Sequence, residues 1–198
     1  MTELRIATSN PGKLREFKEM LSPLGFTVKG LEDLPDLLIV EDGATFEANA
    51  IIKARAVMER TGCPAVADDS GIVVDALEGR PGVHSARYAG VDGPSQDSAN
   101  RLKLLEELHH VLPPHRTARF VCALAYCRPD QAPVTFRETF EGSIGFTEQG
   151  TNGFGYDSIF LVANDQRTSA ELTPDEKNAV SHRGRALRQF LGYLQASP

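Results

Sequence analysis

The sequence lacks an apolar run long enough to cross a membrane, and no long apolar segment follows Met1. We therefore expect neither membrane attachment nor a secretion signal, and we expect a cytoplasmic protein. The chain of 198 residues has few cysteines, and their number, three, is odd. An odd number in apolar surroundings predicts reduced structural thiols and excludes a fully paired disulfide framework.

The sequence also lacks an excess of positive charge, since its formal net charge is −6 at pH 7. This balance argues against a partner that is a nucleic-acid polymer, although it leaves room for a small anion held by a few lysines. Repeats, low-complexity segments and long linkers are absent as well. We therefore expect residues 1–198 to form a single domain.

A nucleotide-binding loop of the Walker A type is absent, but another segment has the composition of an anion site. Thr8-Ser9-Asn10-Pro11-Gly12-Lys13 follows a short strand candidate and precedes apolar residues at helical spacing. Asn10 is a favourable N-cap and Pro11 a favourable first helical residue. The segment would offer backbone N–H groups, hydroxyls and a lysine to an anion. A capped helix with a surface lysine is the alternative interpretation.

The most informative stretch is Ala65-Val66-Ala67-Asp68-Asp69-Ser70-Gly71, in which an apolar run ends in two adjacent carboxylates. We expect a strand that delivers Asp68 and Asp69 to its end. Adjacent carboxylates near a core need a neighbouring positive charge, and a bound Mg²⁺ is a common solution. A solvent-exposed acidic turn between two strands is the alternative.

A second acid also follows an apolar run, because Leu37–Val40 reads as a short strand that ends at Glu41. Thr45 is then a suitable N-cap for a helix from Phe46 to about residue 60. Lys53 lies on the polar face of this helix. It is either a ligand for an anion or an ordinary solvated lysine.

The rest of the chain alternates between strand and helix signals, which predicts a mixed α/β fold. We expect a helix over 97–108, strands over 118–126, 134–140 and 158–162, and a turn at 129–133. The polar segment 90–96 receives no assignment.

Two segments near the end of the chain carry groups suited to a planar base. Gly153-Phe154-Gly155-Tyr156-Asp157 places an aromatic ring between glycines, where the ring could stack on a nucleobase. Thr173 and Pro174 start a short helix that carries Lys177, and Ser181 caps a last helix that begins with His182 and Arg183. A hairpin turn with a partly buried phenylalanine is the alternative for the first segment.

Taken together, the acids and lysines indicate Mg²⁺ bound to a polyphosphate, and the ring and the arginine indicate a nucleobase. The set predicts a site for a nucleoside triphosphate. Five motifs in this order and spacing resemble the Ham1/RdgB family of noncanonical purine nucleoside triphosphate pyrophosphatases: Thr8–Lys13, Glu41–Lys53, Ala67–Gly71, Gly153–Asp157 and Ser181–Gly184. The resemblance covers nearly the whole chain. One departure is Ser158, where family members often have proline.

The resemblance implies a Mg²⁺-dependent enzyme that hydrolyses ITP, dITP and XTP to the monophosphate and pyrophosphate. It further implies a mixed-sheet, elongated, two-lobed fold with a central cleft, and a homodimer. By the same resemblance Asp69 is the catalytic proton acceptor, and the metal ligands are Glu41, Asp68 and Asp69. The implied substrate-binding residues are Thr8, Ser9, Asn10, Pro11, Gly12, Lys13, Lys53, Ser70, Phe154, Gly155, Tyr156, Asp157, Lys177, His182 and Arg183.

Two other functions fit parts of the pattern. A Maf-type pyrophosphatase would act on modified or pyrimidine triphosphates with similar groups. A noncatalytic nucleotide sensor would use the same pocket, but it has no need of Asp69 beside Asp68 once Glu41 is present.

Overall fold

A computed structural model describes residues 3–196, so residues 1, 2, 197 and 198 of the predicted single domain lie outside it. Within the described residues the strands are Glu3–Ile6 (β1), Thr27–Lys29 (β2), Ala65–Val74 (β3), Thr117–Cys127 (β4), Val134–Ile144 (β5) and Phe160–Val162 (β6). The α-helices are Pro11–Leu21 (α1), Phe46–Thr61 (α2), Gln96–Glu107 (α3), Pro174–Val180 (α4) and His182–Ala196 (α5). None of the helices in this part of the chain is long and apolar enough to span a membrane.

The six strands form one sheet in the order β2-β1-β3-β4-β5-β6. Strand β1 runs parallel to β2 and to β3, whereas β5 and β6 are antiparallel, so the sheet is mixed. The residues fall into two compact units. The first comprises the described residues of Met1–Asp69, Cys122–Arg137 and Ala186–Pro198, and the second comprises Ser70–Val121 and Glu138–Arg185.

In the first unit, the alternation of side chains along the strands separates two apolar layers. Val66 packs in one layer with residues of α1 and α5, such as Phe17 and Phe190. Its neighbours Ala65 and Ala67 pack in the other layer with the small residues of α2. Because successive strand residues point to opposite faces, β3 is covered by helices on both sides here.

The second unit has its own core. It is built from the last residues of β3, the first residues of β4, and residues of β5, β6 and α3. Its largest members are aromatic and include Phe120, Phe140, Tyr156 and Phe160. Phe160 lies 4.5 Å from Phe120 and 5.3 Å from Phe140, measured between ring centroids, and both pairs are tilted. Such offset aromatic contacts add to the stabilisation given by burial.

The helix starts agree with the sequence predictions. The side chains of Asn10 and Thr45 accept hydrogen bonds from backbone N–H groups three residues later. Thr173 forms a reciprocal capping box with Glu176, and Ser181 accepts from the N–H of Gly184 at 3.1 Å. These interactions satisfy N–H groups that a helix leaves without partners in its first turn.

Two strand predictions are wrong. Leu37–Val40 forms no strand: the N–H of Leu37 bonds to the carbonyl of Leu34 in a turn, Leu37 and Ile39 pack inward, and Leu38 and Val40 are 91% and 73% exposed. The predicted strand end at Asp68 and Asp69 is also wrong, since β3 continues through both acids to Val74. The alternative of an exposed acidic turn fails for the same reason. Lysines from two helices neutralise these acids, so the strand need not end there.

Candidate functional site

Two of the predicted acids in the first unit, Glu41 and Asp69, contact the same lysine. Lys53, on α2, places its Nζ 2.7 Å from Glu41 Oε2 and 2.8 Å from Asp69 Oδ1. Lys53 and Asp69 are each 8% exposed, whereas the Glu41 side chain is 35% exposed. A single ammonium group therefore bridges a strand residue and a residue of the irregular segment before α2.

Asn49, one turn before Lys53 on the same helix, supports this arrangement. Its side-chain nitrogen donates to Asp69 Oδ2 at 3.3 Å, and its side-chain oxygen accepts from the N–H of Gly43 at 2.8 Å. A Cβ at Gly43 would lie 2.6 Å from that same oxygen, so a larger residue would displace it. Asn49 and Lys53 are four residues apart and so share one face of α2, but the sequence analysis assigned no role to Asn49.

Burial and charge shift both members of the buried pair. Burial raises the pKa of Asp69 above its ordinary value, and the attraction of Lys53 offsets this only in part. Burial would lower the pKa of Lys53, but the charges of Asp69 and Asp68 raise it above its ordinary value. Asp69 is therefore a stronger proton acceptor than a solvated aspartate, and Lys53 keeps its charge.

The second aspartate pairs with the predicted anion-binding segment. Lys13, in the first turn of α1 after Pro11 and Gly12, places its Nζ 3.1 Å from Asp68 Oδ2, and Asp68 is 1% exposed. Asn10 caps this helix, and its own N–H donates to Thr8 Oγ1 at 3.1 Å. A cavity of about 370 Å³ opens beside this turn, and its lining consists of Thr8, Ser9, Asn10, Pro11, Leu14, Leu31 and Glu32.

The donor set of the first unit fits Mg²⁺. Carboxylate oxygens of Glu41 and Asp69 meet at one point, which the Lys53 ammonium occupies in this structure. Within residues 3–196, no group of three or more His, Cys, Asp or Glu side chains is placed to hold a metal. Mg²⁺ is commonly held by one or two carboxylates together with substrate phosphates and waters, so a converging pair suits an ion that arrives with its substrate.

In the second unit, Phe154 is the centre of a group of cations. Its half-buried ring lies 5.1 Å from Lys177 Nζ and 5.7 Å from Arg183 Cζ, measured from the ring centroid. Lys177 and Arg183 are 7% and 3% exposed. A flat ring beside two cations offers stacking and hydrogen-bond donors to a planar, carbonyl-bearing base.

Asp157 organises this loop. Its Oδ2 accepts from the backbone N–H of Phe154 at 2.8 Å and from Lys177 Nζ at 2.7 Å, and its Oδ1 accepts from Ser169 Oγ at 2.9 Å. Gly153 adopts a φ of +78°, and a Cβ there would lie 2.2 Å from Asp157 Oδ2. The glycine before Phe154 is therefore required by both the turn and the carboxylate.

The start of α5 holds the predicted His-Arg pair. His182 is 5% exposed and stacks on Phe120, with centroids 5.1 Å apart and planes at 11°. The Arg183 Nη2 lies 3.4 Å from Ser70 Oγ. An arginine at a helix N-terminus is electrostatically unfavourable, which favours an anion or acceptor near it.

Tyr156 faces inward and has a structural contact. It is 5% exposed, and its hydroxyl donates to the backbone carbonyl of Ser85 at 2.8 Å. Burial raises its pKa well above the ordinary tyrosine value.

The predicted site residues thus form two groups, one in each unit. Thr8 to Lys13, Glu41, Lys53, Asp68 and Asp69 belong to the first unit, and the remaining residues belong to the second: Ser70, Phe154, Gly155, Tyr156, Asp157, Lys177, His182 and Arg183. Their roles toward a ligand stay predictions.

Known proteins have similar sequences and the same fold. The sequence model of the Ham1 family matches residues 4–193. A dITP/XTP pyrophosphatase from Geobacter sulfurreducens is 53% identical over 195 residues, covering 98% of this chain and 97% of the relative. A dITP/XTP pyrophosphatase from an Exiguobacterium species is 51% identical over 189 residues, covering 95% of this chain and 94% of the relative.

The solved structure of a HAM1 protein from Coxiella burnetii has a TM-score of 0.88 and 43% identity, and the match covers 100% of both chains. The predicted mixed α/β fold of Ham1 type is confirmed by this match and by the mixed sheet. Because the family model and the relatives match nearly the entire sequence, the chain belongs to the Ham1 family.

Proposed function

We propose that this protein hydrolyses noncanonical purine nucleoside triphosphates (ITP, dITP and XTP) to the nucleoside monophosphate and pyrophosphate. The observation that carries the proposal is the Glu41–Lys53–Asp69 group, whose Lys53 and Asp69 are buried, in a chain that is about half identical to dITP/XTP pyrophosphatases. Such a reaction clears deaminated purines from the nucleotide pool.

The first unit would take the triphosphate. Lys13 and Lys53 would neutralise phosphate oxygens, and the hydroxyls of Thr8 and Ser9 and the backbone N–H groups at the start of α1 would donate hydrogen bonds to them. Glu41 and Asp69, with Asp68 nearby, would hold Mg²⁺ together with the phosphates. Bound Mg²⁺ would neutralise the negative charge of the triphosphate as the pyrophosphate leaves.

Asp69 would act as the proton acceptor. A water molecule attacks the α-phosphorus, its proton passes to the Asp69 carboxylate, and the bond between the α-phosphorus and the bridging oxygen breaks to release pyrophosphate. The raised pKa of Asp69 suits this role, because a base works best when its pKa approaches the working pH. Asn49 holds the second carboxylate oxygen and so fixes the direction of the first.

The second unit would select the base. Phe154 would stack on the purine, while Lys177, His182 and Arg183 surround it with donors. Hypoxanthine and xanthine present a carbonyl at position 6, which accepts a hydrogen bond, whereas adenine presents an amino group. Adenine would leave a buried donor such as Arg183 without an acceptor, which is an expensive mismatch.

The proposal includes the setting of the enzyme. We propose a homodimer in the cytoplasm that acts on a free nucleotide and has neither a nucleic-acid polymer nor a membrane as partner. The net charge of −6 argues against a nucleic-acid polymer as partner.

A hydrolysis assay with a substrate panel tests the proposal. With Mg²⁺, we expect ITP, dITP and XTP to yield pyrophosphate, and ATP, UTP and TTP to react far more slowly. Orthophosphate as the product would contradict the α-phosphorus attack. A preference for UTP or TTP would favour a Maf-type enzyme, and binding without turnover would favour a sensor. Lys53→Ala should slow ITP hydrolysis strongly, because it removes an ammonium group proposed to neutralise the phosphates, whereas Lys18→Ala, which changes an exposed lysine on α1, is the matched control and should not.

A further inference from the structure

Helix α3 contacts the base-recognition loop through two side chains one turn apart. The backbone N–H of Gly155 donates to Asp97 Oδ2 at 2.8 Å. The Nη1 of Arg101 donates to the backbone carbonyl of Gly155, also at 2.8 Å. Residues four apart on a helix share one face, so this one face satisfies both backbone polar groups of a single glycine.

The loop needs such external partners because its own backbone is unusual. Gly153 and Gly155 both have positive φ, +78° and +60°, so the ordinary strand and helix patterns cannot hold this segment. The N–H of Phe154 donates to the Asp157 carboxylate, and the N–H and carbonyl of Gly155 bond to side chains of α3. The backbone on either side of the Phe154 side chain is therefore tied down.

The Arg101 side chain is itself held in place. Its Nε lies 3.0 Å from Glu148 Oε2, and the same carboxylate oxygen accepts from Ser158 Oγ at 3.0 Å. Arg101 is 17% exposed along its side chain, so its guanidinium is largely shielded from water. A shielded, oriented guanidinium is a more specific hydrogen-bond donor than a mobile surface one.

We propose that Asp97 and Arg101 are positioning residues that set the orientation of Phe154, and through it the affinity for the purine base. They act through the Gly155 peptide and do not touch the substrate. This inference rests on the proposed role of Phe154 as the stacking ring. It gives the predicted α3, to which the sequence analysis assigned no function, a part in substrate selection.

A simpler role for Asp97 must be separated from this one. Asp97 lies in the first turn of α3, where a negative charge stabilises the helix dipole without any effect on the loop. Asp97→Asn keeps an oxygen that accepts from Gly155 but removes the charge, whereas Asp97→Ala removes both. Ser98→Ala is the matched control, because Ser98 Oγ donates within its own helix to the carbonyl of Ser95.

Steady-state kinetics with ITP provides the first readout. We expect Asp97→Ala and Arg101→Ala each to raise KM about fivefold with kcat nearly unchanged, as the loss of one ordinary hydrogen bond implies. Asp97→Asn and Ser98→Ala should keep the KM of the unaltered protein. The double variant should raise KM by less than the product of the two single effects, because both side chains fix one peptide.

A fluorescent reporter provides a readout that is independent of turnover. The chain has no tryptophan, so Phe154→Trp introduces a unique probe in the loop. We expect Asp97→Ala or Arg101→Ala in this background to increase acrylamide quenching and to lower the anisotropy. Leu102→Ala, at an exposed position of the same helix, should change neither quantity.

The two readouts separate failure of the inference from failure of the proposed function. If the unaltered protein does not hydrolyse ITP, the proposed function is wrong, and the reporter still tests the positioning of the loop. Unchanged KM and unchanged quenching in both alanine variants would overturn the inference. A lowered unfolding temperature with unchanged KM and quenching would also overturn it, since that result assigns Asp97 to the helix dipole alone.

Discussion

Lys53 and Asp69 form a buried ion pair whose Nζ and Oδ1 atoms are 2.8 Å apart, and each residue is 8% exposed. The pair joins α2 to the middle of β3, sixteen residues further along the chain. Its two members have opposite tendencies: the fold raises the pKa of Lys53 and so favours its charge, but it also raises the pKa of Asp69 and so disfavours the carboxylate.

The first prediction concerns Asp69→Asn. We expect pyrophosphate release from ITP to fall at least about a hundredfold, because the proton acceptor is lost. The unfolding temperature should fall, because Lys53, which is 8% exposed, loses Asp69 as a counter-charge and keeps only Glu41, whose side chain is 35% exposed. Mass analysis of the products measures the rate of hydrolysis, and circular dichroism measures the unfolding temperature. A variant that turns over ITP at the original rate would remove the assignment of Asp69 as the base.

The second prediction concerns removal of the metal. Chelation with EDTA should abolish ITP hydrolysis, and added Mg²⁺ should restore it. The unfolding temperature should hardly change, because Lys53 already neutralises Glu41 and Asp69 without a metal. Calorimetry with and without EDTA, next to the activity assay, measures both quantities. A large loss of stability on chelation would show that the metal is structural.

The third prediction concerns Gly153→Ala. The substitution combines a positive φ of +78° with a Cβ 2.2 Å from Asp157 Oδ2, so we expect a free energy of unfolding lower by about 2 kcal/mol or more and a raised KM for ITP.

Gly62→Ala is the control for that prediction, because Gly62 has a φ of +68° but open space around its Cβ. It should lower the free energy of unfolding by only about 1–2 kcal/mol and leave KM unchanged. Equal effects of the two substitutions on stability and on KM would mean that the Asp157 contact is unimportant. Denaturant unfolding and steady-state kinetics give the comparison.

The fourth prediction concerns selection of the base. Arg183→Met should lower kcat/KM for ITP by roughly ten- to a hundredfold while changing that for ATP much less, because the lost donor serves the carbonyl at position 6. The ratio of the two specificity constants is the measured quantity. Arg188→Met, on the same helix, is the control and should preserve the ratio. An unchanged ITP/ATP ratio in Arg183→Met would assign the discrimination to another group.

The fifth prediction is a pH dependence that arises from Tyr88. Burial, together with the hydrogen bond to Glu107 at 2.7 Å, raises the pKa of Tyr88 from 10.0 to about 12. Because the folded state favours the neutral phenol, this contribution to stability is present below pH 10 and is lost as the pH rises through about 12. A difference absorbance titration against Tyr88→Phe should show the raised midpoint, and Glu107→Gln should lower it. A midpoint near 10 in the unaltered protein would contradict the hydrogen bond.

Local features were predictable from the sequence because their partners are close along the chain. The caps at Asn10, Thr45, Thr173 and Ser181 depend on side chains that reach N–H groups three residues away. The glycines around Phe154 were recognised for a similar reason, since positive φ is a property of single residues.

The wrong and missed predictions concern features whose partners are distant along the chain. Leu37–Val40 is a continuous apolar run, which is typical of a strand, but a strand also requires a neighbouring backbone, which a local pattern cannot show. Asp97 and Arg101 were missed because their partner, Gly155, lies more than fifty residues later and is contacted through its backbone.

By itself, the sequence determined the helix starts, the mixed α/β character and which residues are predicted to bind a nucleoside triphosphate. The tertiary structure alone decided that Asp68 and Asp69 lie within a continuous strand, each neutralised by a lysine from a different helix. The physical reason is that a buried charge depends on what lies opposite it in space, and the lysines that neutralise this strand come from helices that only folding brings to it.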